Sequence, residues 1–326
     1  MNKVTVQRRY FRLFLIILLL QSGALMRGSL AADFSIMAPL AEHSLLLDID
    51  AHDNRLIAVG ERGHVLVSDN DGRDWRQVRV PTRATLTAIY MLDGRRAWAV
   101  GHDAVILRSI DGGDSWQRVF HEPDQERPLL DVWFADEHHG LAVGAYGYYL
   151  ESSDGGRTWR ERTIDEEDYH LNQLTADADG RLFIAGEAGH VYFSDDDGEH
   201  WESLPAPYRG SFFSILADDR HGLFIAGLRG HLYRSEDSGK SWTPLPARTS
   251  AMITDLLEYD RETTVIVGLD GAVIVHSFPD QLNYHFQPNR KGITAVAANS
   301  SGELFVVGEG GLARIHIPEL TPGDRP

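Results

Sequence analysis

Forty-eight carboxylates, fifteen histidines and no cysteine bound the chemistry that this 326-residue chain could perform. Cleaving a glycosidic bond needs two carboxyl groups facing each other across a cleft. The acids here gather instead in short runs, Asp195-Asp196-Asp197 and Asp165-Glu166-Glu167-Asp168 among them, which read as solvated loops. A sialidase would add an arginine triad, a tyrosine nucleophile and an early Arg-Ile-Pro-like signature. Only Arg314-Ile315-His316-Ile317-Pro318 echoes that signature, at the wrong end, where it reads as a last strand. Metal chemistry fares no better. Asp69-Asn70-Asp71-Gly72 and residues 195–198 lack the alternate-residue spacing of a calcium loop. His64, His190 and His231 each follow a glycine at the same beat of a repeat, so they do not converge on one ion. Without cysteine there is no thiolate site, no disulfide frame, no Cys nucleophile and no lipid-bearing thiol. No catalytic residue, metal or cofactor is expected.

The acids that do recur at fixed spacing have a different use. Residues 152–159 read SSDGGRTW, and the pattern returns at 109–116 (SIDGGDSW) and 235–242 (SEDSGKSW). Residues 194–201 (SDDDGEHW) lack the Ser/Thr, and 68–75 (SDNDGRDW) carry Asn70 for the aspartate. Asp and Ser side chains can bond the N–H groups of a tight turn, while glycine supplies positive φ. Tryptophan then opens the next strand and lays a large ring between units. This motif locks a hairpin.

Five copies about 42 residues apart demand a repeat architecture. A second marker, a glycine ending the second strand, falls at Gly60, Gly101, Gly144, Gly186, Gly227, Gly268 and Gly308, which counts seven units. Each unit has four short beats rich in Val, Ile, Leu and Tyr, separated by Gly/Asp/Asn turns. The expectation is an all-β fold, a seven-bladed β-propeller of four-stranded antiparallel blades (strands a to d). The sixth unit has lost the turn motif but has Tyr284 where tryptophan would fall, and the seventh stops after strand c. Residues 34–39 are expected to supply its strand d, closing the ring with an N-terminal strand. Residues 1–31 carry five basic side chains, an apolar run at 13–20 and a small-residue end, which reads as a signal peptide. The propeller is then 32–318, and 319–326 is a flexible C-terminal tail.

The runs LTAIYMLDGRRAWAVGHDAVILRSIDGGDSWQRV (86–119) and LLDVWFADEHHGLAVGAYGYYLESSDGGRTW (129–159) resemble the Asp-box propellers of the photosystem II assembly and stability factor family. The resemblance covers residues 33–318. It implies an exported, non-enzymatic propeller that holds a membrane-protein assembly intermediate or envelope complex subunit, touching membrane only through that client. The compartment implied is the periplasm, or the thylakoid lumen in a phototroph. The turn motif alone is shared with sialidases and other glycosidases, so a carbohydrate-active hydrolase is the alternative reading.

The charge balance points to the docking surface. Without residues 1–31 the chain carries 26 basic against 48 acidic side chains, a net of −22, which argues against a nucleic-acid partner. In a propeller the d–a and b–c loops share one face. The d–a loops carry Arg83, Arg127, His170, Arg209, Arg248 and Arg290, and the b–c tips add Arg62 and Arg229. These eight are the candidate partner-binding residues, a mixed-charge ring for an acidic segment of a client. The protein is expected to be a monomer.

Overall fold

The computed structural model describes residues 33–220, 222–318 and 320, so residues 1–31, expected to be a signal peptide, and residues 321–326 of the expected tail lie outside the described residues. The first blade is Leu46–His52, Arg55–Gly60, Val65–Ser68 and Arg76–Val78, paired in sequence order and antiparallel. Five further four-stranded sheets follow, then a three-stranded one of Ile293–Ala298, Leu304–Gly308 and Ala313–Ile315. No α-helix occurs among the described residues, only single 3₁₀ turns.

Seven apolar clusters hold the ring, one at each junction between blades. Ile57, Val65 and Val67 of blade 1 meet Ile89, Ala99 and Trp116 of blade 2, for example. Phe183 and Ile225 join blades 4 and 5, and Val265 and Val306 join blades 6 and 7. Each strand b is buried along almost its whole length because it is covered on both faces. The aromatic at the start of strand d belongs to the junction with the preceding blade. Tyr284 does fill the tryptophan position, its hydroxyl donating to the Pro246 carbonyl, and Ile317 with Leu320 occupies the last junction.

The glycine that counted the units has a steric cause. A Cβ at Gly60 would lie 2.3 Å from the Leu45 carbonyl oxygen, and one at Gly101 would lie 2.1 Å from that of Thr85. The chain entering strand a crosses directly over this point. A bulge follows at the start of strand a in every blade, as between Leu46 and Asp48.

Closure differs from the expectation. Residues 34–39 form no strand and do not complete the last blade. Ser35 donates its N–H to the Val80 carbonyl at 2.9 Å, and the Gln77 amide bonds both Ile36 O and Ala38 N. The segment therefore runs beside the outer strand of blade 1, where the Gln77 fork meets its polar backbone. It then turns through Ala41–His43, and Glu42 accepts from the Leu312 N–H. The ring closes without it. Thr294 of blade 7 donates to the Leu46 carbonyl of blade 1 at 2.9 Å, the same bond that Thr87 makes to Leu129 and Thr254 to Ile293.

Candidate functional site

The turn motif shows what its carboxylates do. In the blade 5 copy Ser235 donates to Asp237 at 2.7 Å and accepts the Gly239 N–H at 2.8 Å. Asp237 in turn accepts from the Ser241 amide and hydroxyl, and that hydroxyl bond leads in pulling its carboxyl down to about 2. Asp111, Asp154 and Asp196 repeat the arrangement. These acids are consumed by their own turns.

The opposite face is built from the b–c turns and d–a loops. In six of the seven b–c turns the middle residue is left-handed: Arg62 at φ 58°, Asp103 at 60°, Tyr146 at 57°, Ala188 at 55°, Arg229 at 58° and Asp270 at 67°. A glycine follows it except at Ala104, and it is pressed against the d–a loop: a Cβ on Gly189 would meet Arg209 Cα, and one on Gly271 would meet Arg290 Cα. The same backbone geometry thus presents arginine, aspartate, tyrosine or alanine according to the blade.

All eight candidates lie on these loops, but they are not a uniform basic ring. Arg127 forks onto Glu161 at 2.7 and 3.2 Å and stacks 3.9 Å over the buried Tyr148 ring. Arg290 is held by Asp270 and lies over Phe286. His170 sits edge-on to Tyr146 with a nitrogen 3.9 Å from Glu187, and Arg83 donates to the Phe34 carbonyl. Arg62 is loosely paired with Glu61, and Arg248 lies over Tyr284. Arg209 and Arg229 are exposed and, among the described residues, carry no ion pair or side-chain hydrogen bond. Tyr208, next to Arg209 in the chain, stacks on His231, two residues beyond Arg229, with ring centroids 3.8 Å apart, and His231 faces the Tyr233 hydroxyl at 3.0 Å. Leu228 adds an exposed apolar side chain. The face therefore narrows to one cationic, aromatic spot on blades 4 and 5.

The sequence reading passed over a second group of residues, at the axle. The bulges turn Asp48, Asp131, Gln173 and Asp255 toward a channel with a cavity of about 100 Å³. Each accepts a backbone N–H from the next blade: Ile89, Leu174, Ile215 and Val296, at 2.8 to 2.9 Å. Asp50 does the same for Met91 at 2.6 Å. Burial dominates and pushes these carboxyls up, Asp48 to about 6, Asp50 and Asp255 to about 7 and Asp131 to about 8. The signal was present as a charged residue two places after the first buried residue of strand a, in Leu46-Leu47-Asp48, Leu129-Leu130-Asp131 and Ile253-Thr254-Asp255.

Comparison with known proteins adds the family. A family model described as photosynthesis system II assembly factor YCF48 matches residues 121–319. The photosystem II assembly lipoprotein Ycf48 of Prochlorococcus marinus (strain MIT 9312) is 34% identical over 147 residues. That match covers 44% of this chain and 44% of the relative, less than half the relative's length. Among solved structures, YCF48 bound to D1 peptide is similar with TM-score 0.69 at 16% identity, covering 87% of this chain and 97% of that one. YCF48 from Cyanidioschyzon merolae gives 0.68 at 19%, covering 88% and 99%. A catalytically inactive virginiamycin B lyase from Staphylococcus aureus with quinupristin gives 0.71 at 11%, covering 86% and 98%. At these identities the structures show a shared fold.

Proposed function

The chain belongs to the photosystem II assembly factor YCF48 family, and from that premise we propose that it is an exported propeller that binds a protein client without covalent chemistry. The client is a membrane-protein assembly intermediate, and it docks through the d–a/b–c face. The relative solved with a D1 peptide is the precedent for a peptide client. Export is the role of residues 1–31, into the periplasm or a thylakoid lumen, in keeping with a curated relative that is a lipoprotein. The chain acts as a monomer.

One observation carries this reading: Arg209 and Arg229 are exposed, have no ion pair among the described residues, and neighbour in sequence the two rings of the Tyr208–His231 stack. Guanidinium groups pair with carboxylates in a planar fork, and a Tyr/His platform offers rigid apolar area beside them. An acidic client segment with an aromatic or apolar anchor fits both. Arg127 and Arg290, tied to Glu161 and Asp270, then shape the rim. The lyase neighbour has the same fold, so absence of catalysis is argued from family and site. The test is capture of membrane-protein intermediates from native membranes by the protein and by an R209E/R229E variant. Capture should fall by about tenfold at low salt while circular dichroism is unchanged. Undiminished capture overturns the reading.

A further inference from the structure

On the face opposite, between blades 3 and 4, a cleft of about 550 Å³ opens among the turn motifs. Its volume is that of an ordinary ligand pocket. Trp133 of Leu129–Phe134 and Leu182 of Leu182–Gly186 give it apolar walls, and Asp136, Glu151, Asp197 and Glu199 surround them. With Asp196, five carboxylates line the cleft. The guanidinium groups that reach them are Arg162, which bonds Glu151 and Glu199, and Arg160, which bonds Glu151, each at 3.0 Å. Asp136 is engaged by His139 at 3.0 Å and Asp196 by His200 at 2.7 Å. Asp197, exposed and held left-handed at φ 59°, carries no side-chain hydrogen bond or ion pair among the described residues. The cleft is thus short of positive charge, and its aromatic wall stands beside its acids.

We propose that this cleft is a docking site for an arginine side chain carried on an extended segment of a second protein. Guanidinium is the group that satisfies both halves of the cleft at once. It stacks on an aromatic face and pairs with carboxylates through a planar fork, and tryptophan is the strongest of the aromatic platforms. Lysine would meet the charge without the stacking, and a metal ion would leave Trp133 and Leu182 without a use. The two faces then take partners of opposite charge, an acidic segment at Arg209 and Arg229 and a basic one here. The protein is an adaptor between two chains.

The test is calorimetric titration of the chain lacking residues 1–31 with a capped Gly-Arg-Leu tripeptide at low salt. The same peptide with citrulline, a neutral isostere of arginine, and spermidine serve as competing probes. The arginine peptide should bind, and the citrulline peptide should not. D197N keeps a residue type at ease with the left-handed turn, and W133F keeps the wall apolar. Each should weaken binding by about five- to tenfold. R209E/R229E should leave it unchanged, which separates this site from the client face. Failure of the arginine peptide to bind, equal binding of the citrulline peptide, or spermidine binding as tightly as the arginine peptide overturns the proposal. So does an affinity unmoved in the D197N/W133F double variant.

Discussion

Replacing Asp50 with asparagine should shift the melting temperature in the variant's favour, relative to the parent, as the pH rises from 5 to 8. The Asp50 carboxyl bridges two strands, accepting Ala51 N–H at 2.7 Å and Met91 N–H of the next blade at 2.6 Å. Burial at the axle, reinforced by the nearby Asp48, outweighs those two donors and lifts it from 3.8 to about 7. The folded protein therefore keeps a proton that the unfolded chain releases near pH 4. Its contribution is complete below that pH and is lost as the pH climbs through about 7. Three units correspond to a ceiling of about 4 kcal/mol at pH 8. Asp48 titrates beside it and the two are coupled, so about 2 kcal/mol is the expected effect. Asparagine removes the ionisation cost but keeps only one acceptor oxygen, so its NH2 faces one of the two amides and costs about 1–3 kcal/mol at both pH values. Roughly a third of the ionisation cost is already present at pH 5, so at about 2 °C per kcal/mol for a chain of this size the variant's melting temperature relative to the parent should be about 2–3 °C more favourable at pH 8 than at pH 5. Scanning calorimetry of both proteins at the two pH values measures this. A variant that melts lower by the same amount at both would refute the reasoning, since the carboxylate would then be an ionised staple held by its two amides.

The junction clusters and turn motifs make separate predictions. Trp116, buried against Ile57 where blades 1 and 2 meet, should cost about 3–5 kcal/mol when changed to alanine, read by urea denaturation. A loss under 1 kcal/mol would mean that the ring is not held by these aromatics. Ser235→Ala leaves the Gly239 N–H and Asp237 without their shared hydroxyl and should cost about 1–2 kcal/mol, a local loss visible by hydrogen exchange in residues 235–242. The turn acids also titrate in the opposite sense to the axle. Asp237, held down to about 2, stabilises above its unfolded value and loses that contribution only as the pH drops from about 4 to about 2.

Much of the architecture was legible because its causes are local or periodic. The turn motif completes its hydrogen bonds within eight residues, so Ser235, Asp237, Gly239 and Ser241 announce the hairpin by themselves. Gly60 and its six counterparts mark strand b because the incoming chain passes over them in the same blade. Loop positions followed from that count, which is why all eight candidate residues fell on one face. Their pairing did not follow. Whether Arg127 is free or pinned depends on Glu161 and Tyr148, brought together by the fold of blade 3, and Arg290 on an Asp270 twenty residues away.

The ring and the axle were decided by tertiary structure. By chain order alone a fourth strand for the last blade requires residues 34–39, because nothing else is left over. The packed ring offered them Val80 and Gln77 instead, and the blade 7 to blade 1 joint used the same threonine-to-carbonyl bond as other junctions. Asp48, Asp131 and Asp255 lie about forty or more residues from the amides they share, so each looks in isolation like an anomalous charge in a β-strand. Sequence determines the blade, since a blade's contacts repeat within one period. How the blades meet, and which charges become buried there, is set by surfaces that exist only once all seven have folded.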